Sequence, residues 1–223
     1  MKKTTIAISL VLIIVGYWFY FPSFTLHYRM TVEVETPEGL KTGSAVRELS
    51  NSTSPKLLDF HMGNPADVKG EAVIVNLGKR GLLFVLISDE SDYELYQTFP
   101  IEGPTTAQGI RYYRSLDIGL RKILKEGEYF PQFVTFNDIN DPKSIQPVDH
   151  NDLAATFGEG VKFKSIAIET TNEPVTWKIE KYLTWLPKYK EYKYYLGGDD
   201  ITPYDDPSKT FVALPNLKTG NIK

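Results

Sequence analysis

The 223-residue sequence contains no cysteine and only three histidines. The first absence excludes disulfides, thiol chemistry and lipid attachment to a cysteine. The histidines, His27, His61 and His150, do not have the spacing of metal ligands. The chain also lacks internal repeats, low-complexity tracts, a Gly-x-Ser-x-Gly motif, a His-Glu-x-x-His motif and a phosphate-binding loop. The sequence therefore contains no recognisable catalytic motif. Carboxylates that only the fold brings together remain candidates for acid–base catalysis.

The N-terminal segment lacks charged residues after its first two lysines. Lys2 and Lys3 are followed by 23 residues without a formal charge, up to Leu26. At about 1.5 Å per residue this segment would form a helix of roughly 30 Å, long enough to cross a bilayer. The aromatic residues 17–21 at its far end are typical of a membrane–water interface. We therefore predict that residues 1–25 form a signal anchor with one transmembrane helix.

A cleaved signal peptide is the alternative interpretation of this segment, because it too begins with basic residues and an apolar core. Bulky aromatic residues stand where the small residues of a cleavage site are expected. The two N-terminal lysines predict a cytoplasmic N-terminus. The chain from residue 26 onward is then expected on the periplasmic side of a bacterial inner membrane.

The composition of the remaining chain fits an acidic globular domain. The whole sequence is 42% hydrophobic and 13% aromatic, which is enough for a packed core. Because Lys2 and Lys3 contribute two positive charges to the formal net charge of −3, the rest of the chain carries −5. This acidity argues against nucleic acid as a partner. We predict one exported domain over residues 26–190 and an extended tail over 191–223 that packs on it.

Alternating patterns predict an antiparallel sheet built from hairpins. Residues 26–35 alternate between apolar and polar side chains, as in a half-buried strand, and a Pro-Glu-Gly turn leads to a return strand near 41–49. A second hairpin is predicted from 71–77 and 82–87. Its second strand is apolar on both faces, so both of its sides are expected to be covered.

Two main helices are predicted on one face of this sheet, over residues 105–125 and 174–186, where apolar residues recur at helical spacing. The fold class is therefore α+β, preceded by one transmembrane helix. The remaining predictions are an edge strand over 93–99, strands over 133–136 and 161–169, and a short helix capped by Asp149.

The predicted helix over 105–125 places five basic residues on one side. Such a side would suit an anion, lipid headgroups or an acidic partner, and a solvated helix face is the ordinary explanation. These residues are Arg111, Arg114, Arg121, Lys122 and Lys125.

Four aspartates form a second candidate group, as oxygen ligands for Ca²⁺ or as catalytic carboxylates. An EF-hand loop is excluded because Pro142 stands at the third ligand position. Turn formation and helix capping explain the same residues without an ion. We predict no metal, no cofactor and no catalytic residue. The four residues are Asp138, Asp141, Asp149 and Asp152.

Two stretches of the chain have a distinctive sequence. They are residues 28–44, which begin Tyr-Arg-Met-Thr-Val-Glu-Val-Glu-Thr-Pro-Glu-Gly, and residues 136–158, which begin Phe-Asn-Asp-Ile-Asn-Asp-Pro-Lys-Ser. Both resemble a family of uncharacterised bacterial membrane-anchored proteins with no established activity. The likeness covers most of residues 28–186 and implies one exported domain, without catalytic residues to transfer.

The function expected from the sequence is that of a non-enzymatic, single-pass envelope protein. Its exported domain is predicted to mediate interaction or accessory binding, with a protein of the envelope as the expected partner. The alternatives are an envelope hydrolase that uses Asp or Glu carboxylates, and a sensor that holds a small ligand in an apolar pocket under the sheet.

Overall fold

The structure is a computed structural model with a mixed α+β fold and antiparallel sheets. Most of the predicted transmembrane helix over residues 1–25 lies outside the described residues and stays a prediction, but its last residues, 23–25, belong to a strand. The described part of the chain contains no helix that is long and apolar enough to cross a membrane. The structure describes residues 22–53, 66–88, 91–127, 129–188, 195–196 and 212–220, together with Ile6, Ile8, Val11 and Gly16.

The β-structure of the described residues consists of two main sheets and a two-stranded ribbon. The larger sheet has the strand order β12-β3-β2-β1-β9-β6, the smaller has the order β4-β5-β7-β8, and β10 pairs with β11. The strands are β1 (Ser23–Thr36), β2 (Gly39–Ser52), β3 (Asp67–Glu71), β4 (Val73–Asn76), β5 (Leu82–Val85), β6 (Arg121–Ile123), β7 (Phe133–Phe136), β8 (Ile145–Val148), β9 (Lys162–Thr171), β10 (Tyr195–Leu196), β11 (Val212–Ala213) and β12 (Lys218–Thr219).

The helices are short. They are α1 (Ser91–Thr98), α2 (Ala107–Arg114), α3 (Leu153–Phe157) and α4 (Leu214–Leu217), with 3₁₀ turns at Gly78–Arg80, Pro142–Ser144, Ile179–Lys181 and Leu186–Lys188.

The long hairpin of β1 and β2 lies at the centre of the larger sheet, and its register runs without a break from Ser23 opposite Ser52 to Thr36 opposite Gly39. The apolar residues of β1 all point into the core, as the alternation predicts. The outer face instead carries cross-strand ion pairs, such as Lys164 Nζ to Glu33 Oε2 at 3.1 Å. The predicted first hairpin is confirmed.

The inner strands of the smaller sheet, β5 and β7, are buried on both faces. Strand β4 of this sheet crosses close to β2, and Gly43 permits this approach, because a Cβ atom there would lie 2.1 Å from the Ile74 carbonyl oxygen. One face joins the main core with β1, β2 and β9. The other face forms a second core with the C-terminal part of the chain. The prediction that the strand within 82–87 is covered on both sides is confirmed.

The second core includes four of the eleven described residues of the predicted tail over 191–223. Its buried members from the smaller sheet are Phe84, Leu86, Val134 and Ile145. They pack against Ile179, Leu183, Trp185, Leu186, Leu196, Val212, Leu214 and Leu217.

Helices α1 and α2 pack on the main core, where their aromatic rings meet β1. The ring of Tyr113 lies 5.6 Å from that of Phe24 and 4.8 Å from that of Tyr96, measured between centroids. The buried Tyr113 hydroxyl donates to the Phe99 carbonyl oxygen at 3.0 Å. Asn51 Nδ2 donates to the Tyr96 hydroxyl at 2.6 Å, so the end of β2 is tied to α1.

The predicted helix over 105–125 is wrong in its second half. The helix ends at Arg114, and residues 121–123 join the larger sheet as β6. The buried Thr170 explains the change, because its hydroxyl donates to the Asp117 carbonyl at 2.6 Å and accepts from the Leu120 backbone N–H at 3.0 Å. These bonds bend the chain back along β9.

Three other local predictions are also wrong. The strand predicted over 93–99 is helix α1, since Leu95, Tyr96 and Phe99 are buried together at helical spacing. The helix predicted over 174–186 is two 3₁₀ turns, and the carboxylate of Glu71 accepts the Ile179 backbone N–H at 2.8 Å at the start of the first. The short helix begins after Asp152, which replaces Asp149 as its cap.

A buried ion pair joins the larger sheet to helix α1. Arg47 Nη1 lies 2.9 Å from Glu94 Oε2, and neither side chain has any exposed surface. The guanidinium also donates to the Glu71 carbonyl at 3.2 Å and the Leu86 carbonyl at 3.3 Å. Arg47 therefore connects β2 with β3, with the end of β5 and with α1.

Burial changes the acidity of the groups around this pair. Desolvation raises the pKa of Glu94 to about 7, although the charge of Arg47 partly opposes it. Desolvation and the Glu94 charge also raise the pKa of the buried Tyr28, although Arg47 partly opposes this. The core thus holds an arginine, a carboxyl group of raised pKa and a neutral phenol in one cluster.

Removing one member of the ion pair should destabilise the fold strongly. Arg47→Met is expected to lower the free energy of unfolding by about 3–5 kcal/mol, because it leaves the Glu94 carboxyl buried without its partner. Arg47→Met with Glu94→Leu should cost much less, since no charge remains in the core. Urea unfolding of the purified full chain measures both. The control Arg29→Met, at a partly exposed ion pair, should change stability by about 1 kcal/mol or less. Glu94→Leu alone completes the comparison, and a double variant as destabilised as the sum of Arg47→Met and Glu94→Leu would contradict direct coupling.

The raised pKa of Glu94 also predicts a pH dependence of stability. The pKa is 4.5 for an ordinary glutamate and about 7 for Glu94 in the fold. Between these values the folded chain binds more protons than the unfolded chain, so this group makes the free energy of unfolding fall as pH rises.

Glu94→Gln removes this titration. The stability of the native chain relative to Glu94→Gln should therefore decrease between about pH 4.5 and about pH 7, by at most about 1.4 kcal/mol per pH unit. Urea unfolding of both proteins across this range measures the difference. Parallel stability curves for the two proteins would contradict the raised pKa.

Candidate functional site

The five predicted basic residues are divided between a helix end and a strand. Arg111 and Arg114 lie in the last turn of α2. Arg121 points to the outer face of the larger sheet, with its Nη2 atom 3.8 Å from Glu33 Oε1. Lys122 points to the opposite side, where its Nζ atom lies 5.1 Å from the centroid of the Phe99 ring. The five residues, which include Lys125, therefore do not form one face of a helix.

Strand β6 is one of the two edge strands of the larger sheet, and all three of its residues are exposed. The neighbouring residues Leu120 and Leu124 bond to β9, through Thr170 N–H to the Leu120 carbonyl at 3.0 Å and Leu124 N–H to the Ile166 carbonyl at 2.9 Å. By alternation, the backbone groups of residues 121 and 123 face away from the sheet. In the part of the chain that the structure describes, no strand pairs with this side.

Large apolar side chains are exposed along the same segment. Ile118 is 52% exposed, Leu120 is 37% exposed and Ile123 is 50% exposed. Three basic residues, Arg121, Lys122 and Lys125, lie in the same segment. We call residues 118–125 the basic edge. It combines an open strand edge, positive charge and apolar surface.

The four predicted aspartates make turn and cap contacts. Asp138 and Asp141 accept backbone N–H groups from Asn140 and Lys143, each at 2.9 Å. They lie in the turn between β7 and β8.

The second pair does the same around helix α3. Asp149 accepts from the Asn151 N–H at 2.8 Å, and Asp152 accepts from the Ala155 N–H at 3.2 Å. Among the described residues, no group of three or more histidine and acidic side chains is placed to hold a metal ion.

A cavity that the sequence did not reveal lies between the loop after β6 and strand β8. Its volume is about 330 Å³. The apolar part of its lining consists of Phe130, Pro131, Phe133, Pro147 and Val148, while Glu126, Gln132 and His150 add polar groups. We call it the aromatic cavity.

His150 and Glu126 form a pair beside this cavity. His150 Nε2 lies 2.9 Å from Glu126 Oε1, and the Glu126 side chain is 62% exposed while that of His150 is 24% exposed. The imidazole packs among aromatic rings, with centroids 4.9 Å from Phe130, 5.6 Å from Phe133 and 6.1 Å from Phe163. The sequence offered no signal for this pair, because its members are 24 residues apart and meet only when β7 and β8 pair.

Comparison with protein-family models, with curated proteins and with solved structures found no match. The function is therefore argued from the sequence and from the geometry of these surfaces.

Proposed function

We propose that the chain is a single-pass bacterial envelope protein whose exported, non-enzymatic domain binds another envelope protein through the basic edge. Support for the membrane location comes from the uncharged N-terminal segment and the two lysines before it. Strand β1 begins at Ser23 and overlaps the last three residues of the predicted segment 1–25, so the domain would follow the membrane-spanning residues without a linker.

The observation that carries the interaction is the open side of β6 with its exposed apolar residues. Open strand edges bind extended segments of other proteins by adding a strand to the sheet, and alternate side chains then give specificity. A partner strand would place apolar side chains beside Ile123 and acidic ones beside Arg121 and Lys125. We therefore propose an extended, acidic segment of an envelope protein as the partner.

The register of the larger sheet supports a position of this edge close to the start of β1. Arg121 pairs with Glu169, and Glu169 pairs with Arg29 of β1. Arg29 is six residues after Ser23, which is about 20 Å of extended strand. The proposed partner segment would therefore bind within about 20 Å, along the strand, of the point where β1 starts.

Protease treatment of spheroplasts, with the intact mass of the untreated protein, tests the location. We expect the full-length mass and digestion of the domain from outside, because the two lysines hold the N-terminus in the cytoplasm. Protection of the domain from the protease would show that the protein has the opposite orientation in the membrane. A mass that lacks the first ~25 residues would show a cleaved signal peptide and exclude the anchor.

A proline in β6 tests the interaction. Ile123→Pro removes a backbone N–H that faces away from β9, so the sheet should keep its own bonds while strand addition is blocked. A photocrosslinking residue at position 118 should give a covalent adduct with an envelope protein in cells. We expect Ile123→Pro to reduce this adduct about tenfold, which corresponds to about 1.4 kcal/mol of binding.

Two controls accompany this measurement. Ile123→Thr keeps the N–H and should retain most of the adduct, and circular dichroism should show that Ile123→Pro is folded. A crosslinker at Leu40, which is also half exposed at 51%, should give no adduct. An undiminished adduct in folded Ile123→Pro would overturn strand addition at β6.

The hydrolase alternative finds less support in the geometry. The aspartates considered for it accept backbone N–H groups in turns and at a helix cap, and they do not line the aromatic cavity. The small-ligand alternative is favoured by that cavity.

A further inference from the structure

We propose that the aromatic cavity binds a small organic cation that carries an apolar ring. This inference does not depend on the membrane anchor or on the basic edge, because none of the residues involved belongs to either.

The size and lining of the cavity fit a small ligand. Sites for small molecules typically have volumes of about 300–1,000 Å³, with mostly apolar walls and a few polar groups that set the orientation. At about 330 Å³ the cavity holds one ring and a short substituent. Its surface is about equally polar and apolar, and the polar side chains are those of Glu126, Gln132 and His150.

The walls of the cavity are anchored in the fold before any ligand arrives. Phe133 of β7 pairs with Val148 of β8, and these residues are only 3% and 6% exposed. The rings of Phe130 and Phe133 are nearly parallel, with centroids 6.0 Å apart. A preformed wall lowers the entropy lost on binding, so even a small ligand gains from it.

The sign of the ligand charge follows from Glu126. Its carboxylate is largely exposed beside the cavity, and only its Oε1 atom accepts a hydrogen bond from a described residue, His150. An ammonium group at this position would pair with the carboxylate and lie near the face of Phe130, and both contacts favour a cation. An anionic ligand of the same shape would be repelled.

His150 acts here as a positioning residue. Its Nε2 atom holds Glu126 Oε1 at 2.9 Å, while its ring is fixed by Phe130, Phe133 and Phe163. The imidazole thereby keeps the carboxylate beside the aromatic wall. The loop that carries Glu126 contributes the charge, and the β7–β8 pair contributes the apolar surface.

Calorimetric titration of the full chain, purified in detergent, with three probes tests the proposal. 2-Phenylethylamine carries the ring and the cation, phenylacetate carries the same ring with a negative charge, and butylamine carries the cation without a ring. We expect 2-phenylethylamine to bind at least about tenfold more tightly than either of the others. Equal binding of phenylacetate, or no binding of 2-phenylethylamine up to about 10 mM, would overturn the proposal.

Three variants locate the binding site. Glu126→Gln keeps an oxygen for His150 and removes the charge, so it should weaken the binding of 2-phenylethylamine about tenfold. Glu159 is an exposed carboxylate outside the cavity, and Glu159→Gln should not change this binding. Pro147→Trp should fill the cavity and abolish binding. Pro147 is exposed and lies on the outermost strand β8, so this change should leave the fold intact. Full binding by Pro147→Trp, with an unchanged circular dichroism spectrum, would place the ligand elsewhere and overturn the proposal.

Discussion

The buried contact between Arg47 and Glu94 is the interaction on which the arrangement of this domain depends. Arg47 reaches from the central hairpin to the end of β3, to the end of β5 and to α1, so one side chain bonds to several separate segments. A charged pair without exposed surface carries a large desolvation cost, which only good geometry and further hydrogen bonds can offset. The segments around it are therefore restricted to positions that satisfy the guanidinium.

The smaller sheet gives the domain its layered form. Because this sheet is apolar on both faces, it needs the larger sheet on one side and the C-terminal part of the chain on the other. Gly43 permits the close crossing of β2 and β4 that brings the two sheets together. The two sheets provide two different surfaces for binding. The larger sheet leaves β6 open at one edge, and the smaller sheet, at β7 and β8, forms the wall of the aromatic cavity.

These two surfaces differ in the binding chemistry that they offer. The basic edge presents backbone groups, positive charge and apolar side chains, which suit an extended acidic protein segment. The aromatic cavity presents a rigid apolar wall beside a carboxylate, which suits a small cation. Both proposals describe binding rather than catalysis.

The sequence by itself determined the β1–β2 hairpin, the two-sided burial of β5 and the α+β class, because period-two alternation and turn residues act locally. Such local patterns did not predict the structure of residues 115–125 and 174–186. Their apolar spacing fits a helix, yet Thr170 and Glu71, which are distant in the chain, bind their backbones and impose another path. Only the tertiary structure decided that Arg121 and Lys122 lie on an edge strand and that Glu126 meets His150, because hydrogen bonds between remote segments outweigh local propensity.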